Sequence, residues 1–231
     1  MIMSRKHFAA GAAALLIAFG AARAGADIFL SDLVVDLQAG KQARDHIEVW
    51  NNGADKAYVA IEPREILKPG TASEGVRTDP DPEKLGLLVT PARMILEPGE
   101  RKIIRLVSLA PPSNQERVYR VTVKPVATDV QSTSSGLKIL VGYDVLVLVR
   151  PATAASSVSA SRSGRTLTFT NGGNVSVELV DGRQCDSSRT HCTDLPGKRL
   201  YAGATWSEQL GSDLPVEYTV RAPGQVTRRV F

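Results

Sequence analysis

The chain has 231 residues, a formal net charge of +4, 43% hydrophobic residues, three histidines and two cysteines. That charge gives little reason to expect a nucleic-acid ligand, and so few histidines and cysteines leave little from which to build a metal centre. Glycine and proline are scattered as turn punctuation, valine-rich alternating segments recur every ten residues or so, and no segment keeps an apolar 3.6-residue period, so the composition points to an all-β, sandwich-like protein.

Taken in chain order, Arg5 and Lys6 precede an apolar stretch from Phe8 to Phe19 that ends at the small-residue site Ala22-Arg23-Ala24. This layout predicts a secretory signal peptide over residues 1–24, because the apolar part is shorter than the about 20 residues a membrane span needs. A buried N-terminal helix is the alternative. With Arg5, Lys6 and Arg23 removed, the charge of the exported chain falls from +4 to +1. No later window is long and uncharged enough to cross a bilayer, so no stable membrane insertion is expected.

Residues 27–37 read as an irregular first strand. Residues 45–63 read as a hairpin whose Asn51-Asn52-Gly53 supplies the positive φ of a tight turn. The polar, proline-rich stretch 68–84 predicts an exposed loop, and 87–109 predicts two strands around Glu97-Pro98-Gly99-Glu100. Strict alternation over 116–126 places Tyr119, Val121 and Val123 on one face and Arg120, Thr122 and Lys124 on the other. A polar loop, 127–136, leads to GLKILVGYDVLVLVRP, a seventh strand in which Leu137, Ile139, Val141, Tyr143, Val145, Val147 and Val149 share a face. The half of this strand near Val147 is apolar on both sides and belongs inside its own sandwich. The half near Ile139 carries Lys138 and Gly142 on its other face, so its aliphatic face can be left exposed, a hazard unless a partner covers it.

After Pro151 the composition turns small and polar over 152–166, which marks a boundary between a domain of residues 25–151 and a second β domain of residues 152–231. Asn174-Val175-Ser176 matches a glycosylation triplet but reads as the turn of a hairpin. Cys185 and Cys192 predict a short-loop disulfide in an oxidising compartment, pinning a hairpin tip and stabilising by about 2–3 kcal/mol. A Cys/His metal site using His191 is the alternative. Catalysis by a nucleophile needs an oriented base, and beyond the leader the histidines are His46, in an alternating strand, and His191, inside the cysteine loop. With no phosphate loop or dinucleotide fingerprint either, the chain is expected not to be an enzyme and to need no cofactor and no metal.

VTPARMILEPGERKIIRLV, then ERVYRVTVKPV, then a long apolar strand ending in VRP, followed by a second β domain, resembles the PapD-like periplasmic chaperones of pilus assembly. QCDSSRTHC with DLPGKRLYAG resembles the archaic chaperone-usher branch of that family. The resemblance implies two immunoglobulin-like β-sandwich domains in an L or boomerang arrangement, periplasmic localisation, pilus subunits as clients and an outer-membrane usher as receiver. It also implies a self-capping homodimer as a form of the free protein. Strand addition to a pilin is an established property of this family; here it implies a donor strand of Ser135, Leu137, Ile139 and Val141. Burying three aliphatic side chains at about 1.5–3 kcal/mol each gives about 5–9 kcal/mol before ordering costs. Arg105, Glu116 and Arg150 match the family's interdomain charge cluster, without a carboxylate from the second domain. The arginine and lysine that grip the client's terminal carboxylate in better-known members align with Val35 and Leu146, so Arg120, then Lys124, are the candidate anchors. The rival reading is an exported two-domain structural or adhesive module.

Overall fold

The computed structural model describes residues 28–38, 43–126 and 140–231. The expected signal peptide and the donor-strand residues Ser135, Leu137 and Ile139 lie outside the described residues.

The first eleven elements are β1 (Ile28–Leu30), β2 (Val34–Leu37), β3 (Arg44–Asn51), β4 (Ala57–Leu67), β5 (Gly75–Arg77), α1 (Pro82–Leu85), β6 (Leu87–Thr90), β7 (Arg93–Leu96), β8 (Arg101–Ser108), β9 (Arg117–Pro125) and β10 (Tyr143–Val149). They form a four-stranded sheet, β1-β3-β8-β6, and a six-stranded sheet, β2-β10-β9-β4-β5 with β7 also on β4. The alternation read from the sequence explains why two sheets face each other: Ile47 and Val49 of β3, Ile104 and Leu106 of β8, Tyr119, Val121 and Val123 of β9, and Val145 and Val147 of β10 all bury in one core. The N-terminal segment serves both sheets. β1 pairs antiparallel with β3, and after Ser31–Leu33 the chain crosses so that β2 pairs parallel with β10.

The remaining elements are β11 (Val158–Ser163), β12 (Thr166–Asn171), β13 (Val177–Cys185), β14 (Cys192–Leu195), β15 (Lys198–Leu200), β16 (Thr205–Gln209), β17 (Val216–Ala222) and β18 (Gln225–Val230). A three-stranded sheet, β11-β12-β16, packs on a five-stranded one, β14-β13-β17-β18 with β15 on β13. Their separate core centres on Phe169, Tyr218 and Trp206. The chain is thus two immunoglobulin-like sandwiches. Cys185 and Cys192 face each other across the β13–β14 hairpin and are disulfide-bonded, as the short spacing predicts.

Several elements differ from expectation. Asn51-Asn52-Gly53 does not turn a hairpin, because β3 and β4 lie in opposite sheets. The buried Asn51 amide donates to the carbonyls of Asp55 and Leu96 and accepts from the Gly53 N–H, so the segment is a corner that carries the chain across the core. The second sandwich repeats the device: Asn171 donates to Val175 and Leu200 carbonyls and accepts from Gly173 N–H. For the same reason Asn174-Val175-Ser176 is no hairpin turn, since β12 and β13 belong to different sheets. The stretch 68–84 is not all loop: β5 pairs with β4, and Asp81 caps α1 by accepting from Glu83 N–H at 3.0 Å. Residues 87–109 hold three strands in two sheets rather than two strands, because Pro91 and Ala92 separate β6 from β7. Part of the small, polar stretch 152–166 is strand β11, whose Val158 reaches the second core.

Candidate functional site

The outward face of the six-stranded sheet is built in rows by its register. Arg64, Arg120, Leu146 and Val34 lie side by side on β4, β9, β10 and β2. Next to them on one side lie Ile66, Val118, Leu148 and Asp36, and on the other Glu62, Thr122 and Asp144. Side chains at these positions share the face because strand periodicity is two. The aliphatic rows are covered by Tyr201 of the second sandwich, which packs on Val118, Leu146 and Leu148. The Arg64 and Arg120 end of the face is therefore a cleft bordered by both sandwiches.

Within this cleft, Arg64 donates to both oxygens of Asp144, at 3.0 and 2.8 Å, and to the Thr122 hydroxyl at 2.6 Å. Arg120 donates to the Asp144 backbone carbonyl at 3.3 Å, while its Nε stands 4.0 Å from the Asp144 carboxylate. Burial pushes the Tyr201 phenol above its ordinary pKa, opposed by the charges of Arg120 and Arg199. Lys124, one row beyond Thr122, is occupied differently: it pairs with Glu62 at 2.8 Å. Of the two residues singled out as anchors, Arg120 stands in the cleft beside Tyr201 and Lys124 lies at the open end of the sheet. There, Tyr58, Ile95 and Val126 are exposed around a groove of about 820 Å³.

The start of β10 has an edge. β9 pairs with β10 along its whole length, from Tyr143 to Val149, whereas β2 pairs only with Leu146–Val149. On the β2 side, Tyr143–Val145 have no strand partner among the described residues. Leu140 and Val141, which lead into this edge, are exposed, Val141 at 45%. Gly142 lets the segment run close to β9, since a Cβ there would meet Lys124 Cβ at 3.1 Å. Exposed aliphatic groups leading to unpaired strand backbone are what strand addition requires.

The expected charge cluster is corrected in membership. Arg150, 8% exposed, donates to both oxygens of Asp36 at 2.9 Å and to the carboxylate of Glu116. Glu116 also accepts from the Ser176 N–H and hydroxyl, each at 3.2 Å, so the second sandwich contributes a serine where a carboxylate was sought. Burial pulls the Arg150 pKa down, but the Asp36 and Glu116 carboxylates outweigh it and leave the guanidinium above its ordinary value. Nearby, Glu116 N–H donates to the Asn174 carbonyl, and the Asn174 amide donates to carbonyls of Asn114 and Thr153. Arg105 is not part of this cluster. It alternates with buried Ile104 and Leu106 on β8 and is exposed on the outer face of the opposite sheet, across from His46 and Thr90.

The family's first-strand position is also shifted. Val35 is 3% exposed and buried in the first core, while its neighbour Val34, 48% exposed, is the residue that faces outward opposite Leu146. Arg64, Asp144 and Asp36 were missed by sequence reasoning. Their one available signal was position on the same face as Arg120 or Arg150, which needs the register to be seen. Among the described residues, no group of three or more His, Cys, Asp or Glu side chains is placed to hold a metal, and no helix is long and apolar enough to cross a membrane. His191 instead lies 3.0 Å from Asp186 beside the disulfide.

Comparison with known proteins agrees with this geometry. Residues 28–155 match the family model of the pili and flagellar-assembly chaperone, PapD N-terminal domain. A CS1 fimbrial protein of Escherichia coli is 30% identical over 171 residues, covering 69% of this chain and 71% of its own length. The crystal structure of the class 5 fimbriae chaperone CfaA superposes with a TM-score of 0.65 at 25% identity, covering 88% of this chain and 98% of that one. The CsuC–CsuE chaperone–tip adhesion subunit complex, from the archaic chaperone-usher Csu pili of Acinetobacter baumannii, has the same fold. It matches with a TM-score of 0.62 at 12% identity, over 89% of this chain and 98% of that chain.

Proposed function

The chain belongs to the PapD family of pilus-assembly chaperones, and from that premise we propose that it captures incomplete pilus subunits in the periplasm by adding its own strand to them. The residues assigned to this donor role are Ser135, Leu137, Ile139 and Val141. The observation that carries the reading is the edge at Tyr143–Val145, unpaired on the β2 side among the described residues and preceded by the exposed Leu140 and Val141. A client strand pairing there gains main-chain hydrogen bonds, while alternate aliphatic groups fill its open core. The client's terminal carboxylate is held in the cleft by Arg120 together with Arg64, a charge-assisted arrangement of the kind that fixes register.

In this reading residues 1–24 are an export signal, residues 25–151 form the capturing domain and residues 152–231 the second. The Asp36–Arg150–Glu116–Ser176 cluster, buried at Arg150, Glu116 and Ser176, holds the two sandwiches to each other. The loaded chaperone passes its subunit to an outer-membrane usher, and a second copy of the chain caps the exposed strand when no client is present. The step needs no nucleotide, since folding of the client drives capture and a tighter strand exchange drives release. Periplasmic co-expression with a pilin subunit tests this: wild type co-purifies with the subunit in equal amounts, whereas Ile139→Asp or Val141→Asp loses it. A structural or adhesive module keeps its ligand when these residues are charged, and that result defeats the reading.

A further inference from the structure

Resting on the reading that Arg120 and Arg64 hold a client's terminal carboxylate, we propose that Asp144 is a resident stand-in for that carboxylate and must yield its place when the client docks. Arg64 and Arg120 are direct cross-strand neighbours, and like charges so placed repel one another. One carboxylate, Asp144, stands between them. It is fully engaged by Arg64, through two hydrogen bonds, but only distantly by Arg120, whose Nε is 4.0 Å away. The three groups together carry one net positive charge, so the site with Asp144 in place is still short of one anion.

The position of Asp144 fits this role. It is the second residue of β10, within the stretch that β2 leaves unpaired, so an incoming strand arrives beside it. Its side chain is 45% exposed and Arg64 is 29% exposed, so the ion pair between them is worth little and is readily exchanged. A residue buried with its partner, such as Glu116, does not have that freedom. In the free protein Asp144 offsets the charge of Arg64 and only partly that of Arg120, and it competes with the client for both. The terminal carboxylate then takes the Arg120 side of the site, and Asp144 sets how strongly a chain with a free terminus is preferred to an internal segment.

The test measures binding of a fluorescein-labelled decapeptide of alternating valine and threonine, with a free C-terminal carboxylate or as the C-terminal amide. It compares wild type, Asp144→Asn and Arg120→Ala, each first checked for an unchanged melting temperature. Asn keeps an oxygen for Arg64 and Thr122 while removing the charge. Asp144→Asn is expected to tighten the acid peptide about threefold to tenfold and to leave the amide unchanged. Unchanged or weakened acid binding in Asp144→Asn, in a protein whose acid preference is abolished by Arg120→Ala, overturns the stand-in and leaves the anchor intact. Equal binding of acid and amide by both wild type and Asp144→Asn overturns the anchor itself.

Discussion

Replacing Arg150 by alanine probes the junction between the sandwiches. The Glu116 side chain is 1% exposed, one of its oxygens has no partner, and the other is held by Arg150 and by two donors of Ser176. Asp36, 38% exposed, recovers water when Arg150 leaves and contributes at most about 1 kcal/mol to the cost. Glu116 does not recover it, and breaking a buried pair from one side costs about 3–5 kcal/mol. Since the Ser176 donors remain, the lower end, about 3 kcal/mol, is expected, or a fall in melting temperature of about 6–12 °C for a chain of this size. Urea unfolding followed by fluorescence is suited to this, because Trp50 lies in the first sandwich and Trp206 in the second. Trp→Phe variants at either site separate the two signals. Arg150→Ala combined with Glu116→Ala should recover about 2 kcal/mol of the loss, since the stranded carboxylate is gone. A loss below about 1 kcal/mol in Arg150→Ala, or strict additivity in the double variant, refutes the reasoning.

Gly182→Ala places a Cβ into the Tyr218 ring, and this overpacking should cost about 1–3 kcal/mol, read as a lower urea midpoint at Trp206 with Trp50 unmoved. Cys185→Ser with Cys192→Ser opens the short β13–β14 loop, with an expected loss of about 2–3 kcal/mol confined to the same probe. Burial pushes the Tyr119 phenol from 10.0 up to about 12. Its folded pKa lies above the unfolded one, so its contribution is complete below pH 10 and is lost as pH rises from 10 towards 12. That loss amounts to about 2–3 kcal/mol. Tyr119→Phe should flatten this alkaline decline, measured by urea midpoints across that window, while losing the hydrogen bond to the Leu85 carbonyl at every pH.

Local periodicity was legible where one side of a strand is buried. The alternation of Tyr119, Val121 and Val123 against Arg120, Thr122 and Lys124 appears as read, and so does the cysteine-pinned hairpin. Strand partners were not legible where a local signal has two meanings. Asn-x-Gly at Asn51 and Asn171 is a hairpin signal by its φ preferences, yet both asparagines spend their amides on carbonyls 45 and 29 residues away. The recurrence of the same triplet at the same place in each half was the clue that these are corners. Site membership failed for a related reason: Arg64 meets Asp144 across 80 positions and Arg150 meets Asp36 across 114. Resemblance carried the family, but a one-residue offset placed Val35 on the outward face where Val34 belongs, and Arg105 in a cluster it faces away from.

Amide hydrogen exchange on the chaperone, alone and bound to a co-expressed pilin subunit, reads the strand-addition edge residue by residue. The amides of Leu140–Val145 should become protected on binding while the edge strand β18 exchanges as before. Protection confined to β18, or to the exposed face around Ile103 and Arg105, with Leu140–Val145 exchanging freely, contradicts the account.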